Sequence, residues 1–311
     1  MKKVVYHAFG GPEQLVVEEA PLPRMAQDSV LVRVRGAAVN PADIAIQHGV
    51  MKDHMDTFFP VTPGWDVAGT VEATGAGVSE FVPGDEVLGY TRQAVLHQGT
   101  YAEMVATPVG TLVHKPRSMT WAEAAALPLG GLTAYQAVVH TLRVRKGESV
   151  LIHGASGGVG SLASQIAIAR GARVIGTASA SNHAYLTFLG VDPVAYGEHA
   201  AGRIRELAPG GVDAIFDAAG HGSLQMTSAV AAPQVRVATI ADSAPHATTV
   251  YARLDVGDLE ALTALVVGGR LKPRVGATFP LGQAAAAQSL VAAGSARGRV
   301  VLLPSLAAPG E

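Results

Sequence analysis

Ser149-Val-Leu-Ile-His-Gly-Ala-Ser-Gly-Gly-Val-Gly160 joins a short apolar run to a glycine-rich turn and then to a second apolar pattern of different period. Val150, Leu151 and Ile152 read as a strand covered on both faces. Val159, Leu162, Ala163 and Ile166 follow at the i, i+3, i+4, i+7 spacing of one helix face, and Gly171 supplies the stop. Strand, tight turn and helix in that order make a cradle for a diphosphate. Residues without Cβ let the backbone come close, and the first N–H groups of the helix have no internal partner and carry partial positive charge. Gly154, Gly157 and Gly160 are spaced one residue wider than G-x-G-x-x-G, so the glycines alone also suit an ordinary strand-to-helix loop. The flanking strand and helix are what favour a dinucleotide.

The next strand, 173–178, tests which dinucleotide is meant. A carboxylate at its end would bind the ribose hydroxyls of NAD, but the chain continues Thr177-Ala-Ser-Ala-Ser-Asn-His183. With no anion to repel a 2′-phosphate, NADPH is favoured, and Ser179, Asn182 and His183 are the hydrogen-bonding candidates. An imidazole beside a phosphate dianion gains charge, which predicts a preference for NADPH that weakens as pH rises through neutrality. The same residues also suit the polar start of a helix, and the two readings are compatible.

Outward from this stretch, residues 120–255 alternate strands and helices at 149–153, 159–170, 173–178, 183–189, 212–217, 223–230 and 235–240, the pattern of an α/β domain with a doubly wound parallel sheet. Residues 1–119 are instead mostly β, with short alternating runs such as Leu31–Arg35 and Gly69–Thr74 between Gly and Pro. Within them Asn40-Pro-Ala-Asp43 opens a helix that Gly49 ends, and just beyond them Thr120-Trp-Ala-Glu123 is a capping box before another, which Pro128 divides from a second. The segment 256–311 holds helices at 258–267 and 284–293 and a strand at 299–303.

Composition narrows the function class. Of 311 residues 49% are hydrophobic and 15% charged, which describes a compact protein with a sizeable core. A net charge of -2 without a basic cluster argues against nucleic acid and anionic membrane surfaces as partners. The longest apolar tract, 124–139, is broken by Pro128, Gly130 and Gly131, and the N-terminus reads as a strand and not a signal peptide, so a cytoplasmic location is expected. The absence of cysteine removes disulfides, thiolate catalysis and cysteine-ligated metal together.

Seven segments carry a family resemblance: Asn40–Asp43, Pro63-Gly-Trp-Asp-Val-Ala-Gly69, Pro83-Gly-Asp-Glu-Val87, Gly99-Thr-Tyr-Ala-Glu103, Ala126–Tyr135, His153–Gly160 and Gly298-Arg-Val-Val-Leu302. They run in order along nearly the whole chain. Together they resemble the medium-chain dehydrogenase/reductase superfamily in its zinc-independent quinone oxidoreductase, or zeta-crystallin-like, branch. The resemblance implies a GroES-like catalytic domain built from both termini, a Rossmann domain, and a cleft between them. In the zinc enzymes of the superfamily a Cys and a Gly-His-Glu segment supply metal ligands; the matching positions here hold Asn40 and Gly64-Trp65-Asp66, so no metal is expected.

Without a Lewis acid, hydride addition to a plain ketone leaves alkoxide charge unstabilised, whereas a quinone or an α,β-unsaturated carbonyl delocalises it. That agrees with the family's NADPH-dependent chemistry on such acceptors. The alternatives are an enoyl-thioester or tailoring reductase, and an NADPH-binding structural or regulatory protein with little turnover. By motif, Ser156, Gly157, Gly158 and Val159 would hold the pyrophosphate, Ser179 and Tyr196 the adenosine phosphate and ribose, Gly220 and Ile240 would pass beside the coenzyme, and Thr133 would lie near the nicotinamide. Asn40 and Asp43 line the cleft in relatives, and each also reads as a helix cap. If solvent supplies the proton, Asp43→Asn costs far less than the ~10²–10⁴-fold of a general acid. Tyr90, Arg92 and His97 fall in the variable substrate-bordering region, and Met51 stands where relatives often have Tyr. Relatives pair through a Rossmann-sheet edge, so a homodimer is expected, with 248–254 as the edge strand.

Overall fold

The computed structural model describes residues 1–304. They form two compact units, one comprising Met1–Leu129, Leu254–Thr263 and the chain from Pro273, the other Gly130–Arg253 and Ala264–Lys272.

In the first unit, β1 (Lys2–Val5) and β2 (Val16–Glu19) form a small antiparallel pair. The larger sheet is centred on the long β3 (Ser29–Val39), after which come α1 (Pro41–Gln47), β4 (Asp66–Thr74), β5 (Glu86–Tyr90), β6 (Met104–Pro108) and β7 (Leu112–His114). Its core is β-branched: Val32, Val34, Val67, Val71, Val87 and Val105 are buried together, as suits side chains stacked on a pleated surface. The capping box at Thr120 forms, with Glu123 Oε2 accepting from Thr120 N at 2.9 Å, and starts α2 (Trp121–Ala125). Pro128 then opens α3 (Pro128–Tyr135), which crosses the boundary between the units.

The second unit is the α/β one. Its strands are β8 (Ser149–His153), β9 (Arg173–Ala178), β10 (Asp192–Ala195), β11 (Val212–Asp217), β12 (Ala231–Thr239) and β13 (Thr248–Thr249), with α4 (Gly158–Ala169), α5 (His183–Phe188), α6 (Ala200–Leu207) and α7 (Thr227–Val230) between them. The sheet order is β10-β9-β8-β11-β12-β13, every pair parallel, with the direction of winding reversing after β8. This is the doubly wound arrangement. Leu151 packs with Ile175, Ile204 and Ile215 in the core, each fully shielded, and each such side chain contributes roughly 1.5–3 kcal/mol.

From α8 (Val256–Val267) the chain continues through β14 (Val275–Pro280) and α9 (Ala284–Ala292) to β15 (Arg299–Leu303), which pairs antiparallel with β3 through Val300↔Val39 and brings the C-terminal segment into the first unit.

Two features differ from the sequence reading. The strand expected over 248–254 lasts two residues: Val250 turns inward while Leu254 is exposed, so the residues do not share one face. The strand pairs with the end of β12 over Thr248–Thr249 and through the Val250 N–H to Thr239 O, and past that point β12 offers no further residues to pair with. Conversely, β10 and α6 were not expected, because Gly190, Pro193 and Gly197 punctuate the region like a loop. Proline is tolerated there because β10 is the sheet's edge.

Candidate functional site

Each unit carries one candidate site. In the α/β unit, the carboxyl ends of the parallel strands meet a row of turns. Ser156 and Gly157 follow β8, and Gly158 and Val159 open α4, where the first N–H groups lie beyond the reach of any intrahelical acceptor. Gly154 has φ +69°, and a Cβ on Gly160 would lie 2.2 Å from the Gly154 carbonyl oxygen, so neither position admits a side chain. The tight turn and the open helix start fit a dinucleotide pyrophosphate.

The other expected coenzyme positions fall on the same edge. Ser179 follows β9; its Oγ accepts from Asn182 Nδ2 at 3.0 Å and lies 3.1 Å from Ser181 Oγ, so hydroxyls and an amide gather where a carboxylate would select NAD. Tyr196 follows β10 one residue past the pair Ala195↔Ala178, and at 67% exposure its ring is open to solvent. Gly220 follows β11 and Ile240 follows β12, whose backbone N–H bonds Asp217 O at 3.0 Å. His183 begins α5, but its Nε2 is buried and has no partner among the described residues. Thr133 lies on a different element, buried in α3.

In the first unit, Asn40 and Asp43 come together with three residues that sequence reasoning did not join to them, Asp66, Tyr101 and Arg299. Asp43, 3% exposed, receives on Oδ2 the Asn40 backbone N–H (2.9 Å), the Asn40 side-chain amide (3.3 Å) and the Tyr101 hydroxyl (3.1 Å). The Asn40 amide also donates to Asp66 Oδ2 (3.0 Å), while its Oδ1 accepts from Arg299 Nη2 (2.6 Å). Asp66, 0% exposed, accepts from Arg299 Nη2 (3.1 Å) and from the Leu129 backbone N–H (2.7 Å). Arg299 completes its set by donating Nε–H to Ala126 O at 3.1 Å. The Asn40 side chain is thus engaged across the fold as well as at the start of α1.

Two carboxyls lie in this cluster, and the one guanidinium pairs with Asp66 alone. Burial pushes the Asp43 pKa up to about 7, reinforced by the negative charge of Asp66 and opposed by its three donors. Burial raises Asp66 to about 6, with Arg299 pulling the other way. Tyr101 is raised well above the usual phenol range by burial and by Asp43. The pair therefore stays partly protonated to a higher pH than two exposed aspartates would.

A recess lined by Tyr6, Asp43, Ile46, Thr62, Trp65 and His97 adjoins this cluster. Tyr90 packs edge-on to Trp65 at 6.1 Å, and the Arg92 guanidinium lies 5.7 Å from the centre of the same ring. His97 Nδ1 bonds Phe58 O at 2.9 Å, and Met51 packs beside Tyr6 and Ile46. Among the described residues no group of three or more His, Cys, Asp or Glu is placed to hold a metal ion, and no helix is long and apolar enough to cross a membrane.

Asp66 and Arg299 were visible only as parts of motifs. They stand 233 residues apart, and a charge in each motif was the sole signal that they pair.

Comparison with known proteins shows the family and the fold. Residues 26–117 match the family model for the alcohol dehydrogenase GroES-like domain, and residues 158–271 match that for zinc-binding dehydrogenase. The chain is 30% identical to the quinone oxidoreductase of Mus musculus, covering 97% of this chain and 98% of that protein. It is 32% identical to the chloroplastic NADPH-dependent alkenal/one oxidoreductase of Arabidopsis thaliana, covering 98% and 80%. Quinone oxidoreductases from Pongo abelii and Rattus norvegicus match more strongly but locally, so that the chain spans about half, 53%, of their length. A crystal structure described as an NAD-dependent alcohol dehydrogenase superposes with a TM-score of 0.90 at 33% identity, over 97% of this chain and 99% of that one.

Proposed function

Because this chain belongs to the quinone oxidoreductase family of the medium-chain dehydrogenase/reductase superfamily, we propose that it is an NADPH-dependent reductase that acts on a quinone or an α,β-unsaturated carbonyl without a catalytic metal. The observation that carries the reading is the cradle at the start of α4. There the open N–H groups of Gly158 and Val159 and the Ser156 turn would hold the pyrophosphate, with Ser179 and Asn182 toward the 2′-phosphate. NADPH bound there supplies the hydride.

The metal-free part rests on what Asn40 and Asp66 do instead. A zinc ligand set needs several thiolates, imidazoles or carboxylates with free lone pairs at about 2.0–2.3 Å. Here the amide and the carboxylate are turned onto each other and onto Arg299.

Hydride added to the β-carbon of an enone leaves an enolate that needs one proton, and the sequence leaves solvent and a side chain both open as its source. The buried Asp43 supports a side chain. Its Oδ2 is occupied by three donors, it borders the recess, and its raised pKa keeps a proton available near neutral pH. Asp43 then acts as the acid, and Asn40 and Tyr101 fix its orientation.

Oxidation of NADPH, followed at fixed pH with a panel of quinones, 2-alkenals and enoyl thioesters before and after chelation, tests the proposal. Turnover of a quinone or enone that survives chelation is expected. Loss of turnover together with stoichiometric zinc would overturn the metal-free part, and turnover of thioesters alone would move the substrate class. The homodimer remains part of this proposal, supported by the open sheet edge at β13 and by Tyr251 beside it, 84% exposed; light scattering showing a monomer would remove it.

A further inference from the structure

Four buried polar side chains end four adjacent strands of the α/β unit: His153 on β8, Thr177 on β9, Asp217 on β11 and Thr239 on β12. The strand register sets them side by side, through His153↔Thr177, Asp217↔His153 and Asp217↔Thr239. A parallel sheet covered on both faces is normally apolar, and an unpaired polar group inside it is costly. Their hydrogen bonds lead outward, into the turns that follow the strands.

Asp217 is the hub. Its Oδ1 accepts from the backbone N–H groups of Ala219 (3.0 Å) and Gly220 (2.9 Å) and from the Ser223 hydroxyl (2.7 Å). Its Oδ2 accepts from the Thr239 hydroxyl (2.9 Å), whose oxygen in turn accepts from Ala241 N (3.1 Å) and Asp242 N (3.0 Å). Thr177 Oγ1 lies 3.1 Å from His153 Nδ1 and accepts from Gly154 N at 3.3 Å. Backbone bonds cross the same gaps, from Ala155 N to Thr177 O and from Ala218 N to His153 O. The turns touch as well: ideal Cβ atoms on Gly154 and Gly220 would lie 3.2 Å from those of Ala219 and Ala241.

We propose that Asp217 is a positioning residue that locks the turns 218–222 and 240–242 against the neighbouring turn 154–157 as one coenzyme-binding surface, so that nucleotide affinity depends on this buried row. The inference rests on the dinucleotide reading of the cradle. An ionised carboxylate has the wrong sign to touch a pyrophosphate, so its contribution runs through the N–H groups and hydroxyls it holds. Thr239 and Ser223 act on different turns through the same carboxylate, which makes their effects interdependent.

The test is titration of NADPH against the wild type, Asp217→Asn, Thr239→Val, Ser223→Ala and the Thr239→Val/Ser223→Ala double variant, with melting temperature and steady-state kinetics on each. The expected result is a Kd for NADPH raised at least tenfold in Asp217→Asn and about threefold in each single hydroxyl variant. The double variant should fall short of the product of the singles, and KM for NADPH should suffer more than kcat. If Asp217→Asn fails to fold, the two hydroxyl variants and their non-additivity decide the matter. Kd values within twofold of wild type, with lowered melting temperatures, would overturn the inference and leave the row a packing feature. A wild type that binds neither NADPH nor NADH would overturn the coenzyme reading itself, a different outcome.

Discussion

Asp43 and Asp217 are both buried aspartates, and the fold treats them in opposite ways. Asp43, deeply buried with Asp66 beside it, is held well above the ordinary carboxylate range although three donors on one oxygen oppose the shift. Asp217, 0% exposed, would also be raised by burial, but donors on both oxygens, from Ser223, Gly220, Ala219 and Thr239, hold it below that range. Asp43 lies deeper and beside a like charge, whereas Asp217 is less desolvated and is bonded on both oxygens; depth, donors and the nearest charge together set the charge of an interior carboxyl. The first unit keeps a proton that chemistry can use, and the second keeps a fixed negative charge that organises turns.

The strongest way to break this comparison is Arg299→Leu, which leaves the Asp66 and Asp43 pair without its cation. Removing one partner of a buried ionic group costs about 3–5 kcal/mol, and urea unfolding should register a loss of that size. A loss under about 1 kcal/mol would mean that protonation of the carboxyls absorbs the change, and that Arg299 is dispensable to the cluster.

Asp43→Asn sharpens the comparison. Asparagine can still accept from Asn40 and Tyr101, but carries no acidic proton. Turnover of an enone should fall about 10²-fold, the lower end for a general acid, with folding intact. In the wild type the rate should decline as pH rises through about 7, where Asp43 loses its proton, and the variant should lack that limb. Stability follows the same sign. A raised folded pKa contributes stability that is fully present below the unfolded carboxylate range and is lost as pH rises through about 7, so the variant's melting temperature should fall less between pH 5 and pH 8. A variant with near-normal turnover would return the proton to solvent.

The smallest expected effect is at His183. Its Nε2 is shut away from solvent, whereas Ser179, Ser181 and Asn182 form the polar face of the same turn. His183→Ala should change the ratio of NADPH to NADH affinity less than threefold at pH 6 and pH 8 alike. A larger, pH-dependent change would show the imidazole turning outward to read the phosphate, as the sequence suggests.

What the sequence by itself determined follows from local chemistry. The period change near residue 149, the turn before α4 and the caps at Asn40 and Thr120 are short-range patterns, and β8, β9, β11 and β15 begin and end where those patterns say. Family motifs carried the fold class across the whole chain. Local pattern misled where the partner mattered more than the residues: at β10, legal as an edge despite Pro193, and at 248–254, where pairing with β12 stops after two residues. Tertiary structure alone decided the electrostatics. Asn40, Asp66 and Arg299 lie on three segments separated by 26 and 233 residues, and their meeting turns a helix-cap pattern into a buried, proton-holding cluster. The row from His153 to Thr239 likewise exists only once parallel strands align their ends. A pKa or a hydrogen-bond hub depends on burial and on donors brought together in space, and neither quantity is defined until the chain has folded.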